Sequence, residues 1–226
     1  MILFRSLLAF IIPSLVGITL LLACLPLGKR RALAIALPTI TTLGTRIAGI
    51  TLVVEDNDNL LAVRPAVFMI NHQSATDPLI VAALLKKDVV GIAKVQLKHH
   101  PLLGPLLALA GTVFVDRESH AGVASLAPAL AALKDGYAIA LAPEGRRSHD
   151  RRLGTFREGA IWLAQQANVP IIPIVLHNSA DALPAGKLLI RPATVRVTVL
   201  PVMLTNLIDG ETLDGKKLRA LYADYL

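Results

Sequence analysis

Residues 6–28 carry no charged side chain. At about 1.5 Å of rise per residue, a helix of that length reaches across a hydrocarbon core about 30 Å thick. Pro13 and Gly17 interrupt the run, Arg5 precedes it, and Lys29-Arg30-Arg31 follow it. The run is long and its basic cluster comes after it, which argues for a retained anchor over a cleaved signal peptide. The stronger positive flank then places the rest of the chain on the cytoplasmic side of the membrane, the inner membrane in a bacterium. A second apolar stretch, 32–45, continues to Arg46. It is short for a span and fits either the return arm of a hydrophobic hairpin or a helix lying in the interface. Residues 1–49 thus read as membrane-anchoring helices and 50–226 as the domain they hold.

From residue 50 the pattern changes to short apolar runs alternating with helical periodicity. Runs at 51–54, 66–70, 89–93, 112–115, 137–142, 171–176 and 195–200 predict strands. Helices are expected near 78–87, 103–110, 120–134 and 156–168, and a short amphipathic helix after a loop beyond Leu200. This alternation predicts one α/β domain with a mostly parallel mixed sheet covered by helices. Asp77-Pro78 marks a helix start, the acid at the cap and the proline at the first helical position. Asp56-Asn57-Asp58-Asn59 reads as a turn. Pro170 and Pro173 fall within one apolar run. Proline donates no ladder bond, so that strand is expected to begin there or to lie at an edge.

Composition sharpens the membrane reading. The chain is 54% hydrophobic and only 17% charged, yet its net charge is +7, with a pI of about 9.9 and a mean hydropathy of +0.60. Apolar and basic together point to an anionic membrane surface. Aromatic residues make up 4% of the chain, too few to stack bases, so no nucleic-acid partner is expected. The single Cys24 lies in the apolar run, which leaves no disulfide framework, cysteine zinc site or cysteine nucleophile. His99 and His100 are adjacent and no histidine pair has zinc-protease spacing, so no metal is expected.

The candidate chemistry lies just past strand ends, where an open α/β sheet gathers its ligands. Asn71-His72-Gln73-Ser74-Ala75-Thr76-Asp77 joins a strand to a helix. Such a loop can fold back so that the carboxylate meets one imidazole nitrogen and the other faces the crevice, the arrangement of a general base. With six His and 11 Asp in 226 residues, that spacing arises by chance about 0.3 times, so the pair alone is weak. Gly111 to Arg117 ends a second strand in an acid and a base. Glu144-Gly145-Arg146-Arg147-Ser148 follows a third: the glycine admits close backbone approach, and the guanidiniums offer forks that match phosphate oxygens.

In order along the chain, Asn71-His72-x4-Asp77, Gly111-x-x-Phe114-Val115-Asp116-Arg117, Glu144-Gly145-x-Arg147-Ser148 and Val169-Pro170-Ile171-Ile172-Pro173 resemble the four-block pattern of the glycerolipid acyltransferases. The nearest pattern is that of the bacterial 1-acyl-sn-glycerol-3-phosphate (lysophosphatidate) acyltransferases. Ala93-Lys94 with Leu97, Pro101 and Gly104, and Phe156-Arg157-Glu158-Gly159-Ala160, are similar to further family segments. The likeness runs from about residue 50 to 200, and Arg146 stands where the family usually has Thr.

The resemblance implies a glycerol-3-phosphate acyltransferase-like fold. It also implies acyl transfer from an acyl-CoA or acyl-carrier-protein thioester to lysophosphatidate, giving phosphatidic acid. His72 would take the hydroxyl proton and Asp77 would orient and stabilise it, with no acyl-enzyme and no cofactor beyond the donor co-substrate. A thiol with a pKa near ~8.5 leaves with little help from an acid. Arg117, Glu144, Gly145 and Arg147 would line the polar end of the cleft, with Arg146 and Lys94 as further candidates. An amino-acid lysolipid, another lysophospholipid and glycerol 3-phosphate are the alternative acceptors, since the loop chemistry would be shared. The bilayer and acyl carrier protein are the implied partners.

Overall fold

The computed structural model describes residues 2–56, 58–101, 103–116, 122–148, 152–184, 186–204 and 213–226. The first helix, α1 (Ile2–Cys24), ends in a 3₁₀ turn, and Gly28 at φ +93° reverses the chain into α2 (Lys29–Ala48). The two lie antiparallel: Gly17 receives the Ile40 side chain where any Cβ would collide, and Gly44 packs near Pro13 and Ala9. The 32–45 stretch is therefore the return arm of a hairpin. Among the described residues, one stretch, Ile2–Leu27, is long and apolar enough to cross a membrane. Its buried stripe is narrow, Ser6, Pro13, Gly17 and Leu21, and its other faces are largely exposed.

Seven strands follow: β1 (Ile50–Glu55), β2 (Val67–Ile70), β3 (Val89–Lys94), β4 (Val113–Val115), β5 (Ala138–Leu141), β6 (Ile171–Leu176) and β7 (Ala193–Val199). Their order is β1-β7-β6-β2-β5-β3-β4, and every neighbouring pair is parallel except β6 with β7. The interleaved helices are α3 (Asp77–Leu85), α4 (Leu103–Leu109), α5 (Ala127–Lys134), α6 (Gly159–Ala167), the single turn α7 (Ser179–Ala182) and α8 (Gly215–Ala223). This is the mixed α/β sheet that the alternating pattern predicts. β2 shows why its sequence is apolar at every position. Val67 and Met69 enter a core with α5, α6 and α8, while Phe68 and Ile70 enter a second core with α3 on the other face. The hairpin packs on that second face: Ala9 of α1 and Ala48 of α2 join its core.

Three local expectations change. The cap of α3 is Thr76, and Asp77 is the first helical residue. Its carboxylate bonds backward into the preceding loop, so it is not free to cap the helix. Asp58–Ala62 form a 3₁₀ helix where a simple turn was expected. β6 begins directly after Pro170, as expected, but it is a fully buried central strand and Pro173 lies inside it. Its carbonyl accepts the N–H of Leu200, just beyond the end of β7, so the reciprocal bond that proline cannot make falls at the end of that ladder.

The tail closes the first core. Asp214 caps α8 by accepting the Lys217 N–H at 2.8 Å. Tyr222, fully buried, stands edge-on to Phe156 with centroids 5.1 Å apart, and its hydroxyl donates to the Met69 carbonyl at 2.6 Å.

Candidate active site

β2 delivers the loop that carries His72. Asn71, fully buried, fastens the strand end to β6: its amide donates to the Leu176 carbonyl at 2.8 Å and its oxygen accepts the Leu176 N–H at 2.7 Å. The next residue is His72. Its Nδ1 lies 2.7 Å from Oδ2 of Asp77, which is fully buried. A carboxylate can only accept, so Nδ1 carries the proton and Nε2 is left with its lone pair. The His72 side chain is 22% exposed, enough for Nε2 to meet a solute. The same carboxylate oxygen accepts the backbone N–H groups of Gln73 and Ser74, each at 2.8 Å. Three donors on one oxygen fold the loop around the acid, which fixes the imidazole in plane and in tautomer. Ser74 extends the hold, its Oγ sharing a bond with Thr76 and donating to the Leu183 carbonyl.

The loop after β5 supplies the other side. Glu144, expected at the polar end of the cleft, is buried, and each of its oxygens accepts a backbone N–H. Oε1 accepts the His72 N–H and Oε2 the Gly154 N–H, both at 2.8 Å. The Ser148 N–H returns the favour to the His72 carbonyl at 2.8 Å. Arg146 and Arg147, which immediately precede Ser148, are exposed. Gly145 takes φ +72°, and the Arg157 guanidinium approaches where a Cβ would stand. Lys94 ends β3, two strands from β2, and is exposed. Arg117 lies outside the described residues. The structure thus gathers His72, Asp77, Glu144, Gly145 and the arginine pair at one loop cluster, with Lys94 further along the same edge.

A cleft of about 280 Å³ is lined by Gly145, with Ile92, Val115, Leu126 and Leu141 as apolar wall and Arg157 among its polar residues. Sequence reading gave no role to Gly154, Arg219 or Tyr222. Gly154 and Leu153 carbonyls accept from the Arg219 guanidinium at 3.0 and 3.2 Å, so α8 braces the segment that holds Glu144. Backbone partners of this kind leave no residue-type signal in a sequence. Chemically, the arrangement can accept a proton at Nε2 beside a cationic loop.

Comparison with known proteins gives a consistent result. The family model described as Acyltransferase matches residues 51–177. The chain is 33% identical over 165 residues to the 1-acyl-sn-glycerol-3-phosphate acyltransferase of Cocos nucifera, covering 71% of this chain and 54% of that protein. It is 34% identical to the enzyme of that name from Limnanthes douglasii, covering 62% and 51%, and 30% identical to that of Borreliella burgdorferi, covering 59% and 54%. The chain spans about half the length of the curated relatives it matches. In three dimensions it is similar to the crystal structure of the 1-acyl-sn-glycerophosphate (LPA) acyltransferase PlsC from Thermotoga maritima. The TM-score is 0.80 at 20% identity, over 99% of this chain and 92% of that one.

Proposed function

This chain belongs to the acyltransferase family, and we propose that it transfers an acyl group from a thioester to the free hydroxyl of 1-acyl-sn-glycerol 3-phosphate, giving phosphatidic acid. The observation that carries this reading is the 2.7 Å contact of His72 Nδ1 with the buried Asp77, which leaves Nε2 free at a strand end. Nε2 takes the proton of the acceptor hydroxyl as its oxygen attacks the thioester carbonyl. The C–S bond then breaks, and the departing thiolate recovers the proton from the imidazolium. Asp77, held away from water, stabilises that imidazolium while it exists. No acyl-enzyme is needed and no cofactor enters beyond the donor, an acyl-CoA or an acylated carrier protein.

Arg147 is the first choice to grip the acceptor phosphate, helped by Arg146, Arg117 and Lys94. A phosphate monoester carries about −1.5 to −2 at neutral pH, and guanidinium forks pair with it best. Glu144 and Gly145 shape the loop that presents these cations. Residues 1–49 act as the membrane anchor and 50–226 as the acyltransferase domain. α1 keeps the site at the lipid surface where acceptor and product reside, and Lys29-Arg30-Arg31 favour the cytoplasmic face. The three relatives' shared name for this acceptor supports the choice, as do the paired arginines beside His72.

The deciding experiment is turnover by the purified full chain, reconstituted in vesicles. Lysophosphatidate is set beside glycerol 3-phosphate, monoacylglycerol and an amino-acid lysolipid, with both acyl-CoA and acyl carrier protein as donors. Lysophosphatidate is expected to be used fastest. Preference for another acceptor overturns the substrate assignment, and no transfer from either thioester overturns the reaction.

A further inference from the structure

Leu188 is 90% exposed, more than any other large apolar residue among those described, and its neighbour Leu189 is 40% exposed. A lone exposed leucine asks for no explanation; this pair has unusual company. Lys187 and Arg191, both exposed, flank it. Ile190, the next residue, is tied to α1: its N–H donates to Ser6 Oγ at 2.9 Å. The leucines therefore begin beside the first turns of α1, where Ile2, Leu3, Phe4 and Leu7 are 43%, 59%, 67% and 51% exposed. Arg5, next to Gly49 and Pro192, and exposed Arg46 in the last turn of α2 add cations at the same end.

We propose that Leu188 and Leu189 form a second membrane contact, entering the headgroup–acyl boundary of an anionic bilayer beside α1, with Lys187 and Arg191 against the lipid phosphates. The proposal rests on the reading of α1 as bilayer-bound. Its physical sense is orientation: one helix in or on a bilayer leaves the attached domain free to turn about that helix. A second apolar point off the helix axis removes that freedom. Apolar insertion and cationic attraction reinforce each other at such a boundary. The base of this segment is fastened next to the dyad, since the Leu183 carbonyl accepts from Ser74 Oγ at 2.9 Å and the Arg191 N–H returns to the Ala182 carbonyl at 2.8 Å. Seating the leucines thus sets which edge of the sheet, the one carrying His72, meets the lipid surface.

The test uses the full chain with Cys24→Ser, labelled with bimane at Leu188→Cys, at Leu7→Cys in α1, or at Lys134→Cys at the end of α5. Each is reconstituted with phosphatidylethanolamine–phosphatidylglycerol vesicles, with and without a shallow doxyl-lipid quencher. The Leu188 and Leu7 probes are expected to lose fluorescence, and the Lys134 probe to keep it. Quenching at Leu7 without quenching at Leu188 overturns the second contact and leaves α1 anchoring intact. Quenching at neither overturns α1 anchoring, and this proposal with it. Adding Lys187→Glu and Arg191→Glu should reduce quenching at Leu188 and spare Leu7; no reduction overturns the part assigned to the cations. Leu188→Ser with Leu189→Ser should raise the apparent KM for vesicle-borne acceptor roughly tenfold, and an unchanged KM contradicts the orienting role.

Discussion

Glu144 Oε1 accepts the backbone N–H of His72 at 2.8 Å, so the loop after β5 holds the histidine by its main chain. With Oε2 on the Gly154 N–H, each carboxylate oxygen is anchored to main chain, so the side chain ties the two loops together. Glu144→Gln keeps the shape but turns an NH₂ toward one of two buried donors, a loss of about 1–3 kcal/mol. We expect kcat to fall roughly tenfold to a hundredfold with the acceptor KM nearly unchanged. A raised KM at normal kcat would mean that Glu144 touches substrate.

The dyad itself makes a stronger demand. His72→Ala removes the proposed base, and Asp77→Asn keeps an oxygen for the Gln73 and Ser74 amides while removing the charge that meets the imidazolium. Each should lower turnover ~10²-fold or more. Circular dichroism at matched concentration checks that both variants fold, and near-normal turnover by either sinks the mechanism.

All seven strands stand within two residues of where apolar runs put them, and β2 and β6, buried at every position, are the ones that read as continuous hydrophobic sequence. His72 and Asp77 were legible for another reason: their spacing alone is weak, and the three further blocks in order along the chain are what single them out. The bonds of Glu144 were not legible because its partners are amides of His72 and Gly154, and any residue type but proline carries an amide. β6 starts directly after Pro170, as the prolines predict, and Pro173 is tolerated inside it because β7 stops at Val199. Tyr222 and Arg219 act across more than 60 residues of chain, which no local pattern can show.

Tyr222→Phe deletes the hydroxyl that donates to the Met69 carbonyl, two residues before Asn71. The ring and its contact with Phe156 remain. A buried bond of this kind is worth about 0.5–1.5 kcal/mol, so differential scanning should find Tm lowered by about 2–4 °C. An unchanged Tm would show that α8 holds β2 by packing alone.

His177 gives the chain a pH dependence of stability. Burial, and then the nearby Arg196, lower its pKa below the usual 6.5, against a smaller opposing pull from Glu55. Its Nε2 sits 2.7 Å from Thr198 Oγ1. The unfolded chain therefore takes up the proton first. The stabilisation from a neutral His177 is complete above about pH 6.5 and is lost as pH falls through the lower folded value. His177→Gln should show a smaller drop in Tm between pH 7.5 and 5 than the parent. An equal drop would assign the acid sensitivity to other groups.

The arginine pair decides the acceptor. Arg147 occupies the position the resemblance assigns to phosphate, and Arg146 adds a cation where a hydroxyl is usual; both are exposed beside the Ser148 amide that bonds the His72 carbonyl. If Arg147 grips phosphate, Arg147→Ala should mainly raise the acceptor KM and leave the donor KM nearly unchanged. Losing one charge-assisted bond, ~1.5–3 kcal/mol, makes that rise roughly tenfold or more. Arg147→Lys should rescue only part of it, because an ammonium cannot reproduce a two-pronged fork. Arg146→Thr should be mild with lysophosphatidate. If it switches the preferred acceptor instead, the second arginine is a specificity element and the acceptor is another lysolipid. Steady-state kinetics with lysophosphatidate beside a phosphate-free monoacylglycerol separates these outcomes, and equal use of both by the parent enzyme removes the reason for a phosphate site.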